Sequence, residues 1–478
     1  MNKMPSPESV GIPSKSLLSL MDQLETLAVP IHSLIISRHN QIILESYYAP
    51  FTKDTLHRMF SVSKSFTSMA IGQLELEGYL SLNDPIAQYF PEMIPQTVHP
   101  YILTMTIKDL LQMTTCHTKS TYKIQPESHW VESFFKSKPS HTPGTVFNYD
   151  TSASHTLAAL VERLSGKSLL DYLRHVCLRQ IEFSQEAYII KDPFGVSMGG
   201  SGLMAKPMDI MVFAQLLMNQ GRYKGSSLLS SDFIEAATHI QSTTFLQGSF
   251  PETRFGYGYQ FWINRQEGFS LFGMGGQLAI CLPKEDLIMV TTGDTQGMNG
   301  GNQFIYNSLY DCLLPDLSET PLSEAPDHLI ALQTRAKSNR LQAITTKLIH
   351  PSSTFVNNRC YSLKNNPFAF DNFMLHLDTD GAKGTLHYDL NGRSHELAFG
   401  LDAMITAEFP IYQQRCATSG GWIQANTFYI KSHLIDECLG SVHWHITFHQ
   451  QYISIFMKKI EESSFNEYQG YLEGEALS

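Results

Sequence analysis

Ser61-Val62-Ser63-Lys64 is the first segment whose residue types and spacing could do chemistry. On a helix, residues i and i+3 are neighbours, so the Ser61 hydroxyl and the Lys64 amine would lie side by side. A serine needs a base to become a nucleophile, and a lysine can help supply one. At a helix N-terminus, free N–H groups would also stabilise an oxyanion. The S-x-x-K spacing recurs at Ser120…Lys123 and Ser133…Lys136. Only Ser61 follows an apolar Met59-Phe60 and opens a long amphipathic pattern.

Two further segments carry candidate groups. Phe147-Asn148-Tyr149-Asp150-Thr151 precedes a helical pattern. A tyrosine beside a Ser/Lys pair could act as a general base if the ammonium depressed its pKa. Gly273-Met274-Gly275-Gly276-Gln277 interrupts a strand signal with three glycines, where a ligand or another backbone could come close. An exposed edge there could take an extended substrate. Gly195-Val196-Ser197-Met198-Gly199 matches the G-x-S-x-G elbow, but neither flank supplies the strand and helix that motif needs. His443, His445 and His449 share one face of a strand pattern, read as a solvated face rather than a metal site.

The elements that must position these groups follow from periodicity. Leu34–Ile36 and Ile42–Leu44 flank a polar Arg38–Gln41, a hairpin signal. Val62, Phe66, Met69, Ala70 and Leu74 form one stripe at helical spacing. Residues 152–164 and 207–220 repeat that pattern. Strand signals return at Gly256–Ile263, Phe269–Leu282 and Asp286–Thr292, then a helix at Phe304–Leu314. The expectation is an α+β domain over 1–315, with one antiparallel sheet and a helical second lobe. Residues 316–344 read as an acidic, Pro-containing linker and short helix. Residues 345–478 read as a small antiparallel β domain, with hairpin turns at Asp380-Gly381 and Asn391-Gly392.

Composition bounds the class. The chain has 478 residues, 42% apolar and 17% charged, enough for a sizeable core. Lys+Arg 34 against Asp+Glu 45 gives a net charge of -11, which argues against a nucleic-acid binder. Seven scattered Cys, none in a C-x-x-C spacing, argue against a zinc ribbon or a disulfide scaffold. No signal-like or membrane-spanning apolar run is visible, so a cytoplasmic protein is expected.

The three chemical segments, in this order, resemble the serine β-lactamase and penicillin-binding-protein-like hydrolases, nearest to class C β-lactamase-related esterases and amidases. The resemblance covers roughly residues 5–315, with the phrases MFSVSKSFTS, LSLNDPIAQYFPE, TIKDLLQMTT, PGTVFNYDTSASHTLAALVERLSG and FGYGYQFWI. It implies Ser61 as acylated nucleophile and Lys64 as activating partner and proton shuttle. It implies Tyr149 as base toward Ser61 and acid toward the leaving group. The backbone N–H groups of Ser61 and Gln277 would form the oxyanion hole, with no cofactor or metal. Thr151 and the strand motif Met274-Gly275-Gly276 would meet substrate, and Tyr122 and Trp130 are further candidates to line the cleft. Thr151 replaces the usual Asn, and Met274 the usual Lys or His, so the substrate expected is a small neutral ester or amide. β-Lactamase or D,D-peptidase activity, and a non-turnover acyl-binding sensor, remain the alternatives. Oligomeric state is not legible.

Overall fold

A computed structural model describes residues 4–124, 128–346, 356–378 and 381–477. The chain divides into two units, Met1–Tyr47 with Phe51–Asn339, and Tyr48–Pro50 with Arg340–Ser478. Among the described residues, no helix is long and apolar enough to cross a membrane.

In the first unit, helix α1 (Ser14–Thr26) leads into strands β1 (Ile31–Arg38) and β2 (Gln41–Tyr47). Their hairpin turns on His39 and Asn40, both at positive φ, the geometry of a tight two-residue turn. Helices α2 (Ser63–Leu76), α3 (Thr151–Ser165) and α4 (Pro207–Met218) follow. Strands β3 (Trp262–Ile263), β4 (Phe269–Phe272), β5 (Leu278–Leu282) and β6 (Leu287–Gly293) come next, then helices α5 (Gly301–Cys312) and α6 (Pro326–Ser338). The six strands form one antiparallel sheet in the order β2-β1-β6-β5-β4-β3. The N-terminal hairpin therefore lies beside β6, the last strand of this unit, so the first and last strands of the unit meet in one sheet.

The helix expected to be amphipathic is buried almost all round. Ser63 to Gly72 of α2, and Leu74, are inaccessible to solvent, as a helix inside a core must be. Phe66 stacks on Phe213 of α4 with centroids 3.9 Å apart. Gly72 leaves room for Phe233, whose ring would sit 2.4 Å from any added Cβ.

The acidic stretch expected as a linker is tied into the first unit as far as Asn339. Ser6 donates to Glu324 at 2.6 Å. The Ser318 and Leu322 N–H groups donate to the Gly11 and Glu8 carbonyls. Helix α6 buries Leu332 and pairs Arg335 with Glu25 of α1. Local composition marked this stretch as a linker, but long-range contacts decide its place.

Among its described residues, the second unit carries ten strands. They are β7 (Cys360–Leu363), β8 (Phe370–Leu377), β9 (Lys383–Leu390), β10 (Arg393–Leu401), β11 (Ile405–Phe409), β12 (Gln414–Gln424), β13 (Thr427–Ile435), β14 (Leu439–His449), β15 (Tyr452–Ile460) and β16 (Gly470–Ala476). Their order is β10-β9-β8-β7-β16-β15-β14-β13-β12-β11. A short parallel pairing of β10 with β12, Gly400 opposite Ser419, closes the sheet into a barrel. The expected antiparallel sheet is thus present as a closed barrel, with β11 paired on one side only, to β12. Val442, Trp444, Ile446 and Phe448 of β14 face its core. Asn391-Gly392 turns the β9–β10 hairpin with both φ positive. Asp380 of the other expected turn lies outside the described residues.

Candidate active site

Ser61 sits on a deliberately bent piece of backbone. Phe60, its neighbour, has φ 44°, a left-handed conformation that costs a bulky residue roughly 1–3 kcal/mol. Residues Phe60–Val62 form one tight 3-10 turn, and α2 starts only at Ser63. Ser63 pins the bend, since its hydroxyl donates to the Phe60 carbonyl at 2.6 Å and accepts from the Leu203 N–H at 2.9 Å. The turn leaves Ser61 half-buried while the rest of α2 is inside.

Lys64 reaches Ser61 from one turn away. Its ammonium nitrogen donates to the Ser61 hydroxyl at 3.0 Å, to Thr151 Oγ1 at 3.3 Å and to the Gly200 carbonyl at 2.7 Å. The side chain is 1% exposed, so these acceptors replace its hydration. Gly200 must be glycine, because an added Cβ would lie 2.5 Å from Thr151 Cγ2. Thr151, in place of asparagine, keeps a contact with the lysine.

Tyr149 completes the cluster. Its phenol shares a hydrogen bond with the Ser61 hydroxyl. The Lys64 nitrogen lies 4.8 Å from its ring centroid. Trp262 stacks on the ring at 5.6 Å, and Tyr257 meets it edge-on. Burial pushes the phenol pKa up, and the Ser61 hydrogen bond only partly opposes it. This corrects the expectation of an ammonium-depressed tyrosine. Burial sets the direction, so Tyr149 rests as a protonated phenol.

Asp150, between Tyr149 and Thr151, is fully buried and caps α3. It accepts from the Ser152 N–H at 2.9 Å, from the Ser152 hydroxyl, and from Thr115 Oγ1 at 3.3 Å. Burial raises its pKa to about 6 against these hydrogen bonds. The cap fixes the start of the helix that carries Thr151.

The glycine segment is not a strand interior. The expected strand Phe269–Leu282 is two strands, β4 and β5, joined by a reversal at Met274–Gly276. Gly275 and Gly276 have φ 78° and 94°, a region L side chains rarely adopt. Strand β5 is paired on both sides, by β4 and β6. Gly273 lies so close to the Ser61 loop that a Cβ there would come 2.5 Å from the Met59 carbonyl. The turn is thus beside the nucleophile, with Met274 half-buried and Gln277 fully buried.

Other candidates settle elsewhere. Tyr122 and Trp130 stack on each other at 4.1 Å and meet the edge of His155 on α3. The G-x-S-x-G match is a loop, and its Ser197 hydroxyl donates to Glu162 at 2.6 Å. His443 binds the Tyr429 hydroxyl through one ring nitrogen and Ser441 through the other. Among the described residues, no group of three or more His, Cys, Asp or Glu converges to hold a metal ion.

Three contributors escaped the sequence reading. The Gly200 carbonyl holds Lys64 through backbone, which no residue type signals. Gln260 ties the two halves of the site, accepting from Ser154 of α3 at 2.5 Å and, through its carbonyl, from Ser65 of α2 at 3.0 Å. Its carboxamide also donates to the Leu110 and Leu111 carbonyls. Thr291 of β6 donates to the Gly276 carbonyl at 2.8 Å.

Comparison with known proteins gives four likenesses. Residues 20–304 match the family model described as Beta-lactamase. The 6-aminohexanoate-dimer hydrolase of Paenarthrobacter ureafaciens is 22% identical over 280 residues, 54% of this chain and 71% of that protein. Protein flp of Staphylococcus aureus is 25% identical over 201 residues, 37% of this chain, so the chain spans only 40% of that relative's length. The solved structure of EstCE1, a hydrolase with promiscuous acyltransferase activity, aligns with TM-score 0.52 at 16% identity. It covers 62% of this chain and 99% of its own.

Proposed function

Since this chain belongs to the beta-lactamase family, we propose that it is a serine hydrolase that is acylated on Ser61 and hydrolyses a neutral ester or amide. The observation that carries the reading is the convergence on one hydroxyl of the Lys64 nitrogen at 3.0 Å and the Tyr149 phenol. The similarity to a 6-aminohexanoate-dimer hydrolase supports the reading as a hydrolase.

For Lys64 to act as the base it must be in its neutral amine form. Ser61 Oγ attacks the substrate carbonyl and its proton passes to Lys64. The oxyanion forms against the backbone N–H groups of Ser61 and Gln277. The tetrahedral intermediate collapses as the Tyr149 phenol gives its proton to the leaving alcohol or amine. The Lys64 ammonium, lying over the Tyr149 ring, restores that proton. Water then attacks the acyl-enzyme by the same route reversed. Here Lys64 takes the base role that the resemblance gave to Tyr149, because a buried phenol holds its proton.

Met274 presents no charge to substrate, and Thr151 already accepts from Lys64. Both favour a substrate without a carboxylate at the reacting end over a β-lactam or a D-alanyl-D-alanine terminus. The test is a panel of chromogenic esters, amino-acid amides and β-lactams run beside Ser61→Ala. Ester or amide turnover that vanishes in Ser61→Ala supports the reading. Preferred turnover of β-lactams, or undiminished activity in Ser61→Ala, overturns it.

A further inference from the structure

A trans peptide fixes its N–H opposite to its C=O. The peptide joining Gly276 to Gln277 therefore has its donor aimed by whatever holds its carbonyl. That carbonyl accepts the Thr291 hydroxyl at 2.8 Å. Thr291 is 1% exposed, on the central strand β6, directly opposite Leu278 in the register. Its neighbours on both sides are strands, so its hydroxyl is held by the most rigid part of the sheet.

The turn's other carbonyls are held as well. The Gln277 carboxamide donates to the Met274 carbonyl at 2.6 Å and the Gly293 carbonyl at 3.1 Å, and accepts from the Gly293 N–H at 2.9 Å. The Thr295 N–H donates to the Gly275 carbonyl at 3.0 Å. Asn302 donates to the Gly273 carbonyl at 3.1 Å. Four successive carbonyls thus take donors from β6, the β6–α5 connection, α5 and the turn's own glutamine. Gln277 is 0% exposed, and a buried amide with every group engaged is a rigid strut. Two glycines at positive φ have no preferred conformation of their own, so the strut must supply one.

We propose that the Thr291 hydroxyl and the Gln277 carboxamide are positioning residues that aim the Gln277 backbone N–H at the acyl oxyanion. Neither side chain touches substrate. The proposal rests on the acyl-enzyme reading above, and the experiment separates the two.

The test compares Thr291→Val, which keeps the branched shape and loses the hydroxyl, with Thr291→Ser, which keeps the hydroxyl. Each is assayed with a nitrophenyl ester and with a boronic acid that forms a tetrahedral adduct on serine. Thr291→Val should lower kcat about 10- to 100-fold, short of or equal to the loss of a whole oxyanion donor, with KM within about twofold. Its boronate affinity should fall by a similar factor. Thr291→Ser should recover most of both. If near-ultraviolet circular dichroism shows Thr291→Val misfolded, Gln277→Met is read in the same way. Unchanged kcat in Val, a rise in KM alone, or a Ser variant as impaired as Val overturns the brace. A wild type that forms no boronate adduct at Ser61 overturns the acyl-enzyme reading and the brace together. An adduct equally tight in wild type and variant overturns the brace alone.

Discussion

Lys64 and Ser61 are three residues apart, 3.0 Å apart at their functional atoms, and on opposite sides of the change from a 3-10 turn to an α-helix. The break matters because it leaves Ser61 half-buried while Lys64 enters the core. Replacing Lys64 with Met keeps the volume and removes the base. We expect kcat to fall about 100- to 10,000-fold with the circular dichroism spectrum unchanged. Lys64→Arg should be equally inactive, because a guanidinium does not give up its proton. Activity within tenfold of wild type in either variant would remove Lys64 from the role.

Tyr149 is predicted to matter in proportion to how much its leaving group needs a proton. Tyr149→Phe should impair amide turnover about 100-fold or more and nitrophenyl ester turnover far less. Because burial raises the phenol pKa, the acid form persists above the ordinary tyrosine range. The pH profile of kcat/KM should therefore show no fall assignable to Tyr149 up to about pH 10. Equal losses on both substrates, or a tyrosine-dependent alkaline fall below that pH, would contradict the assignment.

Asp150 gives a stability prediction with a definite sign. Its carboxyl pKa rises from 3.8 to about 6 in the fold. The folded state then holds its proton more tightly than the unfolded chain. Its stability contribution is fully present below about pH 4 and is lost as pH rises toward 6, by about 3 kcal/mol. Asp150→Asn carries no such proton. Urea melts at pH 4 and pH 7 should show wild type losing stability relative to Asp150→Asn between the two. A difference that does not change with pH would contradict the prediction.

Gly273 tests the closeness of the turn to the nucleophile loop. Its φ is ordinary, so Gly273→Ala introduces no backbone strain, only a methyl group 2.5 Å from the Met59 carbonyl. The turn and the Ser61 loop must separate, at a cost of about 1–3 kcal/mol. We expect kcat to fall at least tenfold with a lowered Tm. Wild-type kcat in a folded Gly273→Ala would show that the two segments can part without harm.

What was legible in the sequence was what short segments carry by themselves. Ser61 and Lys64, and Tyr149 and Thr151, are reactive types at local spacings, and Lys64 touches Ser61 and Thr151 while Tyr149 touches Ser61. The β1–β2 hairpin and the Asn391-Gly392 turn follow from residues that accept positive φ. The misses have a common cause. The Gly200 carbonyl acts through backbone, and Gln260 and Thr291 act through partners far away in sequence. The reversal at Met274–Gly276 hid between two apolar runs that read as one strand. The acidic segment before Asn339 reads as a linker because its anchors, Ser6, Glu8, Gly11 and Glu25, lie some 300 residues earlier.

The central claim is a covalent intermediate on Ser61, and intact-mass spectrometry tests it most directly. The full chain is incubated with a fluorophosphonate or an activated ester and mapped by peptide digestion. The account predicts one adduct per chain, on Ser61, absent in Ser61→Ala and slowed in Lys64→Met. No adduct on wild type, or equal labelling of Ser61→Ala, would contradict it.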